Sequence, residues 1–114
     1  MKMNWEQHKS GAVLQLIGEF NIDDSESMRR RCRQWMEDAR TGLVVDCGQL
    51  ERLDSSGLET LMWLQEELER RGLSMRIASL EGQPETAFAV TRLVRRFQIH
   101  DTIEDAARQM AGNR

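Results

Sequence analysis

No apolar run in this chain exceeds a few residues, which excludes a transmembrane helix, since a span needs about 20. Residues Met1 to Ser10 lack the apolar core of a signal peptide, so a cytoplasmic protein is expected. Cysteine is scarce: Cys32 and Cys47 stand alone in no metal-type spacing, and two histidines leave little to build a zinc site from. Both cysteines read as small core residues of a reduced protein. There is no basic surplus either. A net charge of −3 argues against nucleic acid as a partner. The exception is local, at Arg29, Arg30, Arg31 and Arg33, and reads as the solvated face of a helix with Arg33 and Glu37 at i,i+4.

Catalytic constellations are missing as well. His8 and His100 belong to no recognisable triad, and Gly57 stands apart from any dinucleotide or phosphate-loop pattern. Asp54 adjoins Ser55, but sequence neighbours seldom have the geometry for proton abstraction. No enzyme activity, metal or cofactor is expected. Internal repeats and Pro- or Ser-rich linkers are absent too. With 39% apolar and 31% charged residues, 114 residues form one domain, 1–114, around one hydrophobic core.

What is present follows an alternating order. Residues 1–20 read as a hairpin: a polar edge strand from Met3 to His8, a turn at Lys9-Ser10-Gly11, and a strand from Ala12 to Ile17. Trp5 on the edge strand is expected to pack on the core. A helix to about Arg40 opens in the capping-rich run Asn21 to Ser25. Its stripe is Met28, Cys32, Trp35, Met36 and Ala39, and Gly42 ends it as a left-handed cap. Leu43-Val44-Val45 is a short central strand, closed by turn formers at Asp46 and Gly48. Ser55 to Arg71 is the longest helical pattern, with Leu58, Leu61, Met62, Leu64 and Leu68 buried and Gly72 at its end; Ser56 and Glu59 have capping-box spacing. Trp63 lies off the stripe and admits two readings, tucked under a loop or exposed as an anchor for a partner. A strand from Leu73 to Ala78 follows, then a helix from Pro84 to Phe97 whose Phe88, Val90, Leu93, Val94 and Phe97 cover the sheet. Thr102 caps a last helix bearing Ile103, Ala106, Ala107 and Met110, and the end frays.

The functional centre is expected at Asp54-Ser55-Ser56-Gly57, beyond the carboxyl end of the central strand and at a helix N-terminus. Such ends carry unpaired N–H groups and favour an anion. A serine there can act as a cap or carry a phosphate.

Strand-Asp-Ser-Ser-Gly-Leu-helix, preceded by Gly18-Glu19-Phe20-Asn21 after the second strand, resembles the STAS domain of bacterial anti-sigma factor antagonists. The resemblance runs from the opening hairpin to Asp101-Thr102-Ile103-Glu104-Asp105-Ala106. It implies an α/β fold, a small mixed β-sheet of about four strands opening with a β-hairpin and packed with about four α-helices. It further implies a phosphoacceptor at Ser55, with Asp54, Ser56, Asn21 and Asp23 around it, and Gly57 as the small residue that admits a partner. Where the family usually has aspartate after the second strand, this chain has Asn21, with Asp23 and Asp24 just beyond. The partners implied are an anti-sigma factor that is also a serine kinase, and a PP2C-type phosphatase that reverses the modification. Leu58, Glu59 and Trp63 are the candidate partner contacts. The second reading keeps the fold without the switch, as a constitutive STAS scaffold of a lipid-transport or signalling complex. The third is a small nucleotide-binding protein or enzyme using the Ser55–Gly57 anion site. A monomer or weak homodimer is expected.

Overall fold

In the computed structural model, which describes residues 1–9 and 11–112, a single five-stranded sheet carries helices on both faces. The strands are β1 (Lys2–His8), β2 (Gly11–Phe20), β3 (Leu43–Leu53), β4 (Met75–Ala78) and β5 (Gln98–His100). The helices are α1 (Ile22–Asp38), α2 (Ser55–Arg70), α3 (Gly82–Val90) and α4 (Ile103–Gly112), and a 3₁₀ turn spans Leu93–Arg96. Spatial order equals chain order. β1 pairs antiparallel with β2, and every later pair is parallel. Right-handed crossovers that always step the same way along a sheet must lie on one face. Met28, Cys32 and Met36 of α1, Leu58, Leu61, Leu64 and Leu68 of α2, and Phe88 of α3 accordingly form one core with Leu14, Leu16, Val45 and Ile77. Among the described residues α4 alone covers the opposite face, through Ala106 and Met110 on Val44 and Ala78.

Several expectations change. The central strand does not stop at Val45 but runs on to Leu53. Asp46 and Gly48 do turn the chain, but inside the strand. Gln15 pairs with Asp46 while Ile17 pairs with Gln49, so β3 carries one extra residue there, and Asp46 Oδ1 accepts from the Gly48 N–H at 2.9 Å. A turn signal has become a β-bulge. A fifth strand, Gln98–His100, adds to the expected four. It occupies residues beyond a helix that ends at Val90 and not at Phe97: Thr91 Oγ1 bonds back to Ala87 and Phe88 carbonyls, and Arg92 is left-handed at φ 61°. Phe88 and Phe97 meet edge to face in the core, whereas Val90 and Val94 are exposed. Gly42 is not a left-handed cap. Helix α1 ends earlier, at Asp38 with Ala39 as its cap, and a β-carbon on buried Gly42 would lie 2.7 Å from the Ser74 carbonyl oxygen. Gly72 does close α2 at φ 73°. Trp5 and Trp35 stack at 5.6 Å over the core edge. Of the end expected to fray from Ala111 to Arg114, Ala111 and Gly112 belong to α4, while residues 113–114, like Ser10 of the expected turn, lie outside the described residues.

Candidate functional site

Two strand-to-helix turns lie side by side at the carboxyl edge of the sheet. Phe20, the last residue of β2, pairs with Leu53, the last of β3, and the Asp54 N–H donates to the Phe20 carbonyl at 3.2 Å. The Asn21 turn is thereby fixed beside the Asp54-Ser55 turn, which gathers residues 33 positions apart in sequence.

At the second turn Asp54, not Ser56, is the N-cap of α2. Its Oδ1 accepts from the Gly57 N–H at 3.0 Å, and the first intrahelical bond runs from the Leu58 N–H to the Asp54 carbonyl. The capping box expected at Ser56–Glu59 gives way because the cap residue sits two positions earlier. Its third helical position is glycine, which has no side chain to return to the cap. Ser55 is therefore the first helical residue and is exposed, with Ser56 half-buried behind it. The amides of Ser55 and Ser56 precede the first intrahelical bond, so partial positive charge gathers at this exposed hydroxyl.

Gly57 needs a different account from the one expected. It is buried, and a β-carbon there would overlap the Leu53 Cδ1 methyl and lie 3.1 Å from Phe20 Cγ. Its smallness lets the start of α2 pack on the ends of β2 and β3. Leu58 is likewise corrected. At 4% exposure it is a core residue and offers no contact surface. Glu59 is exposed, and Trp63 is half-buried with the Arg33 and Arg29 guanidinium groups over its ring at 5.1 and 5.7 Å. Two of the arginines read as merely solvated thus clamp an indole between α1 and α2, while Arg30 and Arg31 face solvent.

At the first turn Asn21 caps α1 by accepting from the Asp23 N–H at 3.0 Å, and Asp24 returns the box by accepting from the Asn21 N–H at 3.0 Å. Asp23 itself is exposed. Beside them stands Ile22, 71% exposed, which sequence reasoning missed. Periodicity gave no signal for it: around the helix it sits about 120° from Met28 but only about 40° from Met36, and it is exposed as the first helical residue of α1.

The family model of the STAS domain matches residues 2–106. The chain belongs to the STAS domain family. Solved STAS folds align over almost its whole length. An anti-sigma factor antagonist from Mycobacterium paratuberculosis is similar at 21% identity, covering 96% of this chain and 92% of that one, with a TM-score of 0.86. The Bacillus cell fate determinant SpoIIAA in its phosphorylated form is similar at 20% identity over 95% and 98%, with a TM-score of 0.72. The STAS fold also lies within the murine anion transporter Slc26a9, similar at 17% identity with a TM-score of 0.74; the match covers 95% of this chain and 19% of that one. Among the described residues of this STAS chain, no helix is long and apolar enough to cross a membrane.

Proposed function

We propose that this STAS protein is an anti-sigma factor antagonist, a protein-interaction module without catalysis of its own, which binds an anti-sigma factor serine kinase and is switched by reversible phosphorylation at Ser55. The observation that carries the reading is the position of Ser55: first helical residue of α2, in solvent, at the positive end of the helix. Asp54 spends one carboxylate oxygen on the cap, so the hydroxyl is open to a kinase. Likeness to a phosphorylated structure of the same fold lends further support.

The switch is one of charge. Unmodified, the helix start presents small neutral hydroxyls, with exposed Glu59 and Ile22 and half-buried Trp63 on the two helices that the turns open. A phosphate adds about −1.5 to −2 charge, which the helix end tolerates and which a docked surface must desolvate and repel. Partner release then needs no change of fold. A PP2C-type phosphatase restores the neutral state.

The test is incubation with ATP and the anti-sigma factor kinases of the source cell, followed by phosphosite mapping and binding measurements. The expected outcome is phosphate on Ser55, none on Ser55→Ala, and loss of kinase binding by Ser55→Asp at unchanged thermal stability. Full affinity of Ser55→Asp for a verified kinase partner would overturn the switch. Stable stoichiometric binding with Ser55 never modified would instead favour a constitutive scaffold, the reading that the likeness to Slc26a9 supports.

A further inference from the structure

The face of the sheet opposite the long helices holds a cleft that the switch does not use. Helix α4 covers β3 and β4 but leaves part of β1 and β2 open, and two adjoining chambers of about 270 and 390 Å³ lie between them, sharing Val13 and Ile103. Together they reach the size of a small-molecule site. One chamber is apolar, walled by Val13, Val44, Ile103, Ala107 and Met110. The other has a polar end formed by Asn4, Glu6, Gln15 and Asp46 beside an apolar wall of Trp5, Val13 and Ile103.

Asp46 sets the chemistry. It is 6% exposed yet lines the polar chamber. Its Oδ1 is held by the Gly48 N–H, while Oδ2 receives the Gln15 amide at 3.5 Å, the long limit of a hydrogen bond. No lysine or arginine among the described residues comes within ion-pair distance of it. The buried cation on the same face, Arg76 of β4, turns the other way and donates Nη1 to Gln98 and His100 of β5 at 2.8 and 3.0 Å. A buried carboxylate without a cation is costly, and a cationic ligand removes that cost. The other formally charged groups lining the two chambers, Glu6 and Glu104, are acidic as well, with His8 the one base.

We propose that this cleft binds a small aliphatic amine, its ammonium group on Asp46 and its alkyl chain in the chamber under α4. The shared chemistry, an ammonium on an aliphatic stem, has a second source in a lysine side chain of another protein, and the probes separate the two.

The experiment is a two-dimensional NMR titration of the full chain with hexylamine, hexan-1-ol, hexanoate and a blocked lysine, N-acetyl-lysine methylamide. Hexylamine is expected to shift the Val13, Val44 and Ile103 methyl signals. Asp46→Asn keeps an acceptor for the Gly48 N–H and should weaken that binding about tenfold, or about 1.4 kcal/mol. Ala107→Phe, which fills the apolar chamber from α4, should abolish it with the spectrum otherwise native. Hexanol and hexanoate should bind more weakly than the amine to the natural protein. Tighter binding of the blocked lysine than of hexylamine would overturn the free-amine ligand in favour of a protein side chain. Equal binding of hexanol and hexylamine, or no shift in the cleft with any probe, would overturn the site.

Discussion

The turn before α1 and the turn before α2 occupy the same edge of the sheet, joined by one backbone hydrogen bond, yet they are built differently. At Asn21 the capping box is closed: cap and third helical residue each satisfy the other's backbone N–H. At Asp54 the box is half made, because the third position must be glycine to let α2 settle on Leu53 and Phe20. The first turn ties Asn21 and Asp24 into a closed box and leaves the Asp23 carboxylate in solvent. The second leaves two hydroxyls at an electropositive helix end. The contrast is one of spare capacity: a packing constraint at Gly57 leaves the second turn, where the proposed switch sits, with hydroxyls that the cap does not use.

The largest test of this account is Gly57→Ala. Alanine gains helix propensity of about 1 kcal/mol over glycine, but its methyl must displace Leu53 inside a packed core, an overpacking cost of about 3 kcal/mol. A net loss of about 2 kcal/mol is expected, read as a Tm lowered by roughly 10 °C in thermal unfolding. An unchanged Tm would mean that the glycine serves access and not packing. The equivalent box residue at the first turn, Asp24, should tolerate Asp24→Glu with a far smaller change.

Removing the caps should cost less and should cost both turns alike. Asn21→Ala and Asp54→Ala are each expected to lose about 1 kcal/mol in denaturant unfolding. The comparison breaks if Asp54→Ala is neutral, because the open turn would then have no structural reason for its aspartate.

Thiols on the two flanking elements sharpen the comparison further. Cys32 of α1 and Cys47 of β3 are both buried, which pushes each thiol from 9.0 up to about 12, with the neighbouring Asp46 charge adding to the rise at Cys47. Both thiols stay neutral and inert near neutral pH. Because the folded values lie above the unfolded one, their contribution to stability is complete below pH 9 and is lost as pH rises toward about 12. Melting curves should therefore be flat with respect to these groups at neutral pH and fall in alkali, less steeply in Cys47→Ala. Native alkylation at neutral pH should be slow at both positions, and Gly57→Ala should accelerate it at Cys47 more than at Cys32.

The parts of this architecture that sequence could show are those a residue type dictates locally. The capping-rich run from Asn21 announces α1 because capping demands a short acceptor side chain, and the apolar stripes of α1 and α2 announce their buried faces, whereas the α2 cap reads as Ser56 and falls on Asp54. The Asp46–Gly48 signal was legible as a turn but not as a bulge, since the difference lies in the partner strand's register. Three residues of β5 carry no periodicity, and nothing about Arg92 marks it for a left-handed conformation. At the site, the position of Ser55 was readable from Asp-Ser-Ser-Gly. The role of Gly57, the burial of Leu58 and the arginine clamp on Trp63 were not, because each is set by residues distant in sequence.

The smallest expected effect lies at Ser55 itself. Ser55→Asp places a charge in the first turn of α2, where the helix end favours an anion by about 0.3–1 kcal/mol, while Asp54 next to it repels the newcomer. Ser55→Lys reverses both terms. The two variants should therefore differ by less than about 1 kcal/mol at low ionic strength, with aspartate the more stable. The difference should vanish in about 1 M salt, where the screening length falls to about 3 Å. Asp23→Lys in the closed turn should follow the same sign, less stable than the natural aspartate, because that too is a helix N-terminus. If Ser55 variants instead shifted stability by several kcal/mol, the serine would be part of the fold, and loss of partner binding in Ser55→Asp could be blamed on damage. A near-zero effect leaves charge at the interface as the remaining cause.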